Sequence, residues 1–129
     1  MTLVVNKYIT VREDAISDVD TGITLKNGDF LDISASGTIW AGVWFTGRNG
    51  PDGWAGWYAK PTSPLPGYAP FSLLGKTAED GYFPIGHNLR RQFLNEQVGE
   101  MGTRLYLRIN DDTPANGDGG FQCHIQVWR

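Results

Sequence analysis

The stretch NDDTPANGDGG, Asn110 to Gly120, places Asn110, Asp111, Asp112, Asn116 and Asp118 within eleven residues, among glycines that let backbone carbonyls fold back beside them. Calcium takes roughly six to eight oxygens from carboxylates, amides, backbone carbonyls and water. The stretch has that donor chemistry. It is no EF-hand, because counting from Asp112 puts Pro114 at the third position, where a ligand belongs. Softer metals are disfavoured, since no thiolate or imidazole lies in it. Asp and Asn also form turns by capping their own backbone, so composition alone leaves an ordinary polar connection open.

A second group is aromatic. Trp40, Trp44, Trp54, Trp57 and Tyr58 fall close together in the chain. Trp40 and Trp44 sit in a strand pattern and read as core. Trp54, Trp57 and Tyr58 occupy a glycine-rich segment expected to face solvent, where exposed rings want a partner. Sugar rings have apolar C–H faces that stack on such rings. The same residues could instead fold under the loop as a satellite core.

Other chemistries lack support. There is no Gly-x-Ser-x-Gly elbow, no phosphate-cradling glycine loop and no His-Glu-x-x-His pair, so no enzyme activity is expected. His87 follows a glycine in a loop, and His124 falls on the polar side of a strand; both read as surface residues. Cys123, the one cysteine, excludes an internal disulfide and reads as a small buried hydrophobe. A net charge of −3 argues against a nucleic-acid partner held by phosphate neutralisation. No stretch is apolar for long enough to span a membrane as a helix. The opening MTLVVNKYITV is too short an apolar run for a signal peptide. Synthesis in a cytoplasm is expected, with later release to act outside the cell left open.

These groups need a scaffold, and the length predicts a single domain over residues 1–129. Seventeen glycines and seven prolines suit a turn-rich β protein. Period-two alternation dominates. Phe121, Cys123, Ile125 and Val127 point one way and Gln122, His124, Gln126 and Trp128 the other. Leu105, Leu107 and Ile109 alternate with Arg104, Tyr106 and Arg108, and Leu31, Ile33 and Ala35 with Phe30, Asp32 and Ser34. LVVNKYITV, TIWAGVWF, FSLLGK and YFPIG are further strand candidates. Asn27-Gly28 between GITLK and DFLDI predicts a hairpin. HNLRRQFLNEQV reads either as the one helix or as an irregular connection plus a strand. About eight short antiparallel strands predict an all-β, small jelly-roll-type β-sandwich.

The order of motifs then matters. DTGITLKNGDFLDISASGTI, GPDG, APFSLLGK, YFPIG and GTRLYLRINDD…GGFQCHIQV together resemble the LecA-like (PA-IL-like) bacterial galactose-binding lectins, over nearly the whole chain after about Ile16. The resemblance implies a jelly-roll β-sandwich that binds a galactoside through a calcium ion, two sugar hydroxyls completing the metal's shell. Carried over by position, it implies metal ligands at Asp111, Asn116 and Asp118, with backbone carbonyls from Ala41 and from Thr113 or Pro114. It implies sugar contacts from Asp111, Asp112 and Asn116. The family's His-Pro-x-Gln segment has no match here; Trp54, Trp57 and Tyr58 occupy roughly its place and are the expected stacking residues. Glycans, galactosides first among them, are the expected partners, with a homo-oligomer supplying multivalency. Two rivals stand beside this reading: a metal-independent glycan-binding module working through the loop aromatics, and a structural or assembly module with no sugar ligand.

Overall fold

A computed structural model describes residues 1–129 as nine β-strands without a helix. They are β1 (Leu3–Arg12), β2 (Val19–Leu25), β3 (Phe30–Trp40), β4 (Arg48–Asn49), β5 (Leu73–Thr77), β6 (Gly81–Pro84), β7 (Asn88–Gln92), β8 (Thr103–Ile109) and β9 (Asp118–Trp128). One sheet runs β1-β9-β3-β4, with β7 also paired to β3; the other runs β2-β8-β5-β6. Every pairing is antiparallel. This is the expected all-β sandwich, with one strand more than about eight.

The alternation fixes which faces meet. Leu31 and Ile33 of β3, Phe121, Cys123, Ile125 and Val127 of β9, Leu105 and Leu107 of β8 and Leu73 of β5 are buried in one core between the sheets. Fully burying such a side chain stabilises by about 1.5–3 kcal/mol. Burial pushes the Cys123 thiol up to about 12, so it stays a neutral core group.

Three expectations need correction or a choice. Asn27-Gly28 does form a turn, with Gly28 at φ 95°. It is no hairpin, because β2 pairs with β8 in one sheet and β3 with β9 in the other. The turn carries the chain across the sandwich, and the buried carboxylate of Asp29 accepts the Lys26 N–H at 2.8 Å to hold it. The strand option wins in HNLRRQFLNEQV: Asn88–Gln92 is β7, pairing with Phe30–Ser34, while Phe93 and Val98 reach the core. TIWAGVWF does not continue as strand beyond Trp40, because Gly42 turns the chain at φ 84°. Trp44 is therefore not core; it is 85% exposed.

The two poles of the sandwich differ. At one, β1 and β3 end, and the chain passes from the end of β8 to the start of β9. At the other, Thr2 and Arg129 exchange two backbone hydrogen bonds of 2.8 Å. No helix is long and apolar enough to cross a membrane.

Candidate functional site

The loop between β8 and β9 meets the ends of β1 and β3. Three donor-poor groups converge on the Asn116 carboxamide: its inward atom lies 2.8 Å from the Ala41 carbonyl oxygen, 2.9 Å from the Thr113 carbonyl oxygen and 3.3 Å from Glu13 Oε1. All three neighbours are acceptors. Turned nitrogen-inward, the amide donates to them; turned oxygen-inward, it completes a set of four oxygens that needs a cation to reconcile it. Ala41 is delivered by the end of β3, Glu13 by the end of β1, and Thr113 and Asn116 by the loop.

Asp111 sits beside this set. Its Oδ1 accepts the Thr113 backbone N–H at 2.9 Å and the Thr113 hydroxyl at 3.3 Å. Its Oδ2 is buried without a hydrogen-bond partner. Burial, the largest influence, raises the Asp111 carboxyl above the usual carboxylate range, against the lowering by the two Thr113 hydrogen bonds. A buried carboxylate oxygen with nothing bound to it is costly unless a proton or a cation serves it.

Glycine is required where the loop meets β3. A Cβ on Gly117 would lie 1.8 Å from the Trp40 carbonyl oxygen, and one on Gly42 would lie 2.4 Å from Asn116 Cγ. Only bare backbone permits that approach. The Gly117 N–H donates to Glu13 Oε2 at 3.0 Å, which fixes the other oxygen of that carboxylate toward Asn116.

Other expected site residues are placed differently. Asp118 stands apart: its exposed carboxylate takes Arg48 Nη1 at 2.6 Å. Asp112 accepts the Thr62 hydroxyl. Asn110 is a brace, its buried amide accepting the Leu65 N–H at 3.0 Å and donating to the carbonyls of Leu65 at 2.9 Å and Ala69 at 3.2 Å. Glu13 went unread in the sequence. Its signal was available, because Ile9 and Val11 set the inward phase of β1 and Glu13 continues it, a carboxylate in a core position. Nowhere do three or more His, Cys, Asp or Glu side chains gather as a metal-holding group. The oxygen set mixes two carboxylates with amide and backbone carbonyls.

A cleft of about 400 Å3 opens against the same loop, lined by Thr113 and Asp112 on one side and by Phe45, Trp54, Trp57 and Phe71 on the other. Trp57 stacks on Trp54 at 4.7 Å and 13°, and Phe71 lies near-parallel to it at 6.2 Å and 21°. Phe45 lies tilted to it at 5.8 Å and 54°. Trp54 is half-buried in this cluster. Trp57, 58% exposed, and Tyr58, 79% exposed, are more open. Phe71 adopts φ 66°, an uncommon conformation for a bulky residue, held by its N–H on the Asn110 carbonyl at 2.8 Å.

GPDG has a framing role. The Gly53 N–H donates to the Gly50 carbonyl and the Pro51 carbonyl accepts the Leu73 N–H, so the segment ties the cleft to β5. Asp52 takes the His87 ring at 2.9 Å, which lowers the Asp52 carboxyl.

No protein-family model matches the chain, and no curated protein matches its sequence. A solved structure described as "EclA N-terminal domain; PllA-like lectin" superposes with a TM-score of 0.71 at 19% identity, covering 98% of each chain. This chain shares that domain's fold. The likeness extends over the whole sandwich, so the β8–β9 loop and the cleft lie at the end of a scaffold shared with that domain.

Proposed function

We propose that this chain is a carbohydrate-binding lectin domain that takes galactoside-type glycans through a calcium ion at the β8–β9 loop. The observation that carries the reading is the Asn116 carboxamide, whose inward atom meets only oxygens, from three separate parts of the chain, beside the unpartnered Oδ2 of Asp111. The fit is to a hard cation: every donor is oxygen and none is sulfur or imidazole. The carbonyls of Ala41 and Thr113, Asn116 Oδ1, Asp111 and Glu13 would hold the ion. Asp118 is left out of the set by its pairing with Arg48.

Calcium, when bound, supplies open coordination positions to which a pair of sugar hydroxyls can bind. The chain does the selecting. Asp111 and Asp112 accept hydroxyl hydrogen bonds, which are stronger for being charge-assisted. Asn110 and the GPDG segment hold the facing loop at a fixed distance, so sugars with another stereochemistry meet the wall. Shallow single sites of this kind bind weakly, and several copies presented together would raise avidity. The lectin description of the structural neighbour agrees with this reading.

The test is a glycan array read in calcium and again in chelator, with calorimetry on any sugar that binds. Calcium-dependent galactoside binding, lost in Asp111→Ala, is the expected result. Unchanged glycan binding in excess chelator would reject the metal and favour binding through the cleft aromatics alone. No glycan binding under either condition would leave the exposed aromatics as an assembly surface.

A further inference from the structure

We infer that Asn116 is a site of spontaneous deamidation, in which the Gly117 nitrogen attacks the Asn116 carboxamide and Glu13 is the built-in base. The inference needs neither the calcium nor the sugar reading. Asn-Gly pairs are where such chemistry meets least obstruction, because glycine has no side chain to hinder its nitrogen. The chain has Asn27-Gly28, Asn49-Gly50 and Asn116-Gly117. Exposure alone would favour Asn27, which lies in the open turn between β2 and β3.

The hydrogen bonds choose differently. The Gly28 N–H donates to the Phe93 carbonyl at 2.7 Å, an oxygen that cannot keep a proton. Asn49 is buried in β4 and paired to Ile39. Of the three glycines only Gly117 has its N–H on a carboxylate, Glu13 Oε2 at 3.0 Å, within reach for proton transfer. The other oxygen of that carboxylate lies 3.3 Å from the Asn116 amide nitrogen when the amide is turned nitrogen-inward. Glu13 therefore touches both nitrogens between which a proton must pass. Main-chain bonds hold it there: its N–H donates to the Gly119 carbonyl at 2.9 Å, and its carbonyl accepts the Ala115 N–H at 3.1 Å.

The Gly117 nitrogen bonds to Asn116 Cγ as Glu13 takes its proton. The Glu13 carboxyl then returns a proton to the amide nitrogen, the bond from Cγ to that nitrogen breaks, and ammonia leaves a succinimide ring. Water opens the ring to aspartate or isoaspartate, so the net change is amide and water to acid and ammonia. Isoaspartate lengthens the main chain at Gly117, where even a Cβ would lie 1.8 Å from the Trp40 carbonyl oxygen, and the loop loses its seat on β3.

Peptide mapping by mass spectrometry, on folded chain aged in chelator, tests this. The expected result is conversion at Asn116 at least about tenfold faster than at Asn27 or Asn49. In Glu13→Gln, folded by circular dichroism, the Asn116 rate should fall about a hundredfold. In the parent unfolded in guanidinium the three rates should converge, because Glu13 has left Gly117; this comparison decides the matter if Glu13→Gln fails to fold. Asn27 leading in the folded chain, an unchanged Asn116 rate in folded Glu13→Gln, or the same Asn116 lead in guanidinium would overturn the inference. The measurement contains neither metal nor glycan, so its failure leaves the lectin reading as it stands.

Discussion

Asn116 faces three acceptors with one side chain. Nitrogen-inward, it bonds the carbonyls of Ala41 and Thr113 and the Glu13 carboxylate, doing with two protons what an ion would do with charge. Asn116→Asp removes those donors and adds a charge beside Glu13. The chelated variant should be less stable than the parent by about 1–3 kcal/mol, and calcium should raise its Tm more than the parent's. Thermal melts with and without calcium read both numbers, and equal calcium shifts would refute the role. On the calcium reading, Gly117→Ala should remove metal binding, because its methyl cannot coexist with the Trp40 carbonyl; chelator-insensitive circular dichroism alongside calorimetry would separate loop damage from unfolding. Motif order pointed to Ala41, Asp111, Thr113 and Asn116, and the structure brings the Ala41 and Thr113 carbonyls to the Asn116 carboxamide. Asp118 pairs instead with Arg48, and spacing along a loop does not say which carboxylate an arginine on a distant strand will take. Trp54 lies half-buried among Phe45, Trp57 and Phe71, and a sequence shows an aromatic ring but not how far its neighbours cover it.

Among the elements, β1 is the exposed one. It pairs only with β9 and carries a ten-residue edge rich in Val, Ile, Tyr and Thr, the kind of edge that recruits another strand. Lys7 falls on an inward position of that edge, and its Nζ donates to the Thr21 carbonyl of β2 at 2.6 Å, bridging the open side of the sandwich. An inward-pointing charge is a recognised guard against edge-to-edge pairing. Lys7→Val should therefore produce concentration-dependent self-association, visible in light scattering, without loss of β content; a strictly monodisperse variant would remove the guard's rationale. Strand positions were readable because alternation reports burial directly. Partners were not. Asn27-Gly28 has hairpin chemistry, yet its flanking strands belong to different sheets, and which sheet a strand joins is settled by long-range pairing such as β2 with β8.

Across the whole molecule, two carboxylates bind distant parts of the chain together. Asp29, buried, takes Arg129 through two bonds of 2.8 Å. Burial by itself would raise its carboxyl, but Arg129 and the Lys26 N–H outweigh that, and it is held below its ordinary value. Asp18 behaves alike: burial pushes it up, and Tyr82, Lys76 and Arg108 pull it down further. A depressed acid binds fewer protons folded than unfolded, so its stabilisation is complete above about pH 4, the unfolded value, and fades as pH falls through the folded one. Denaturant melts should show stability flat near neutrality and dropping below about pH 4. Arg129→Ala should lose about 2 kcal/mol at neutral pH, less than a fully buried pair would, because the Arg129 side chain is 40% exposed. That loss should shrink in acid. A pH-independent loss would show that the pair is not its source.

The paired ends at Thr2 and Arg129 have a practical corollary for display. Because both leave from the pole facing away from the cleft, an affinity tag or surface tether at either end should leave the cleft facing solution. The two ends are near enough for a short glycine bridge to splice them, so a circularly permuted chain reopened at the exposed turn around Glu100 should keep the fold, read by circular dichroism.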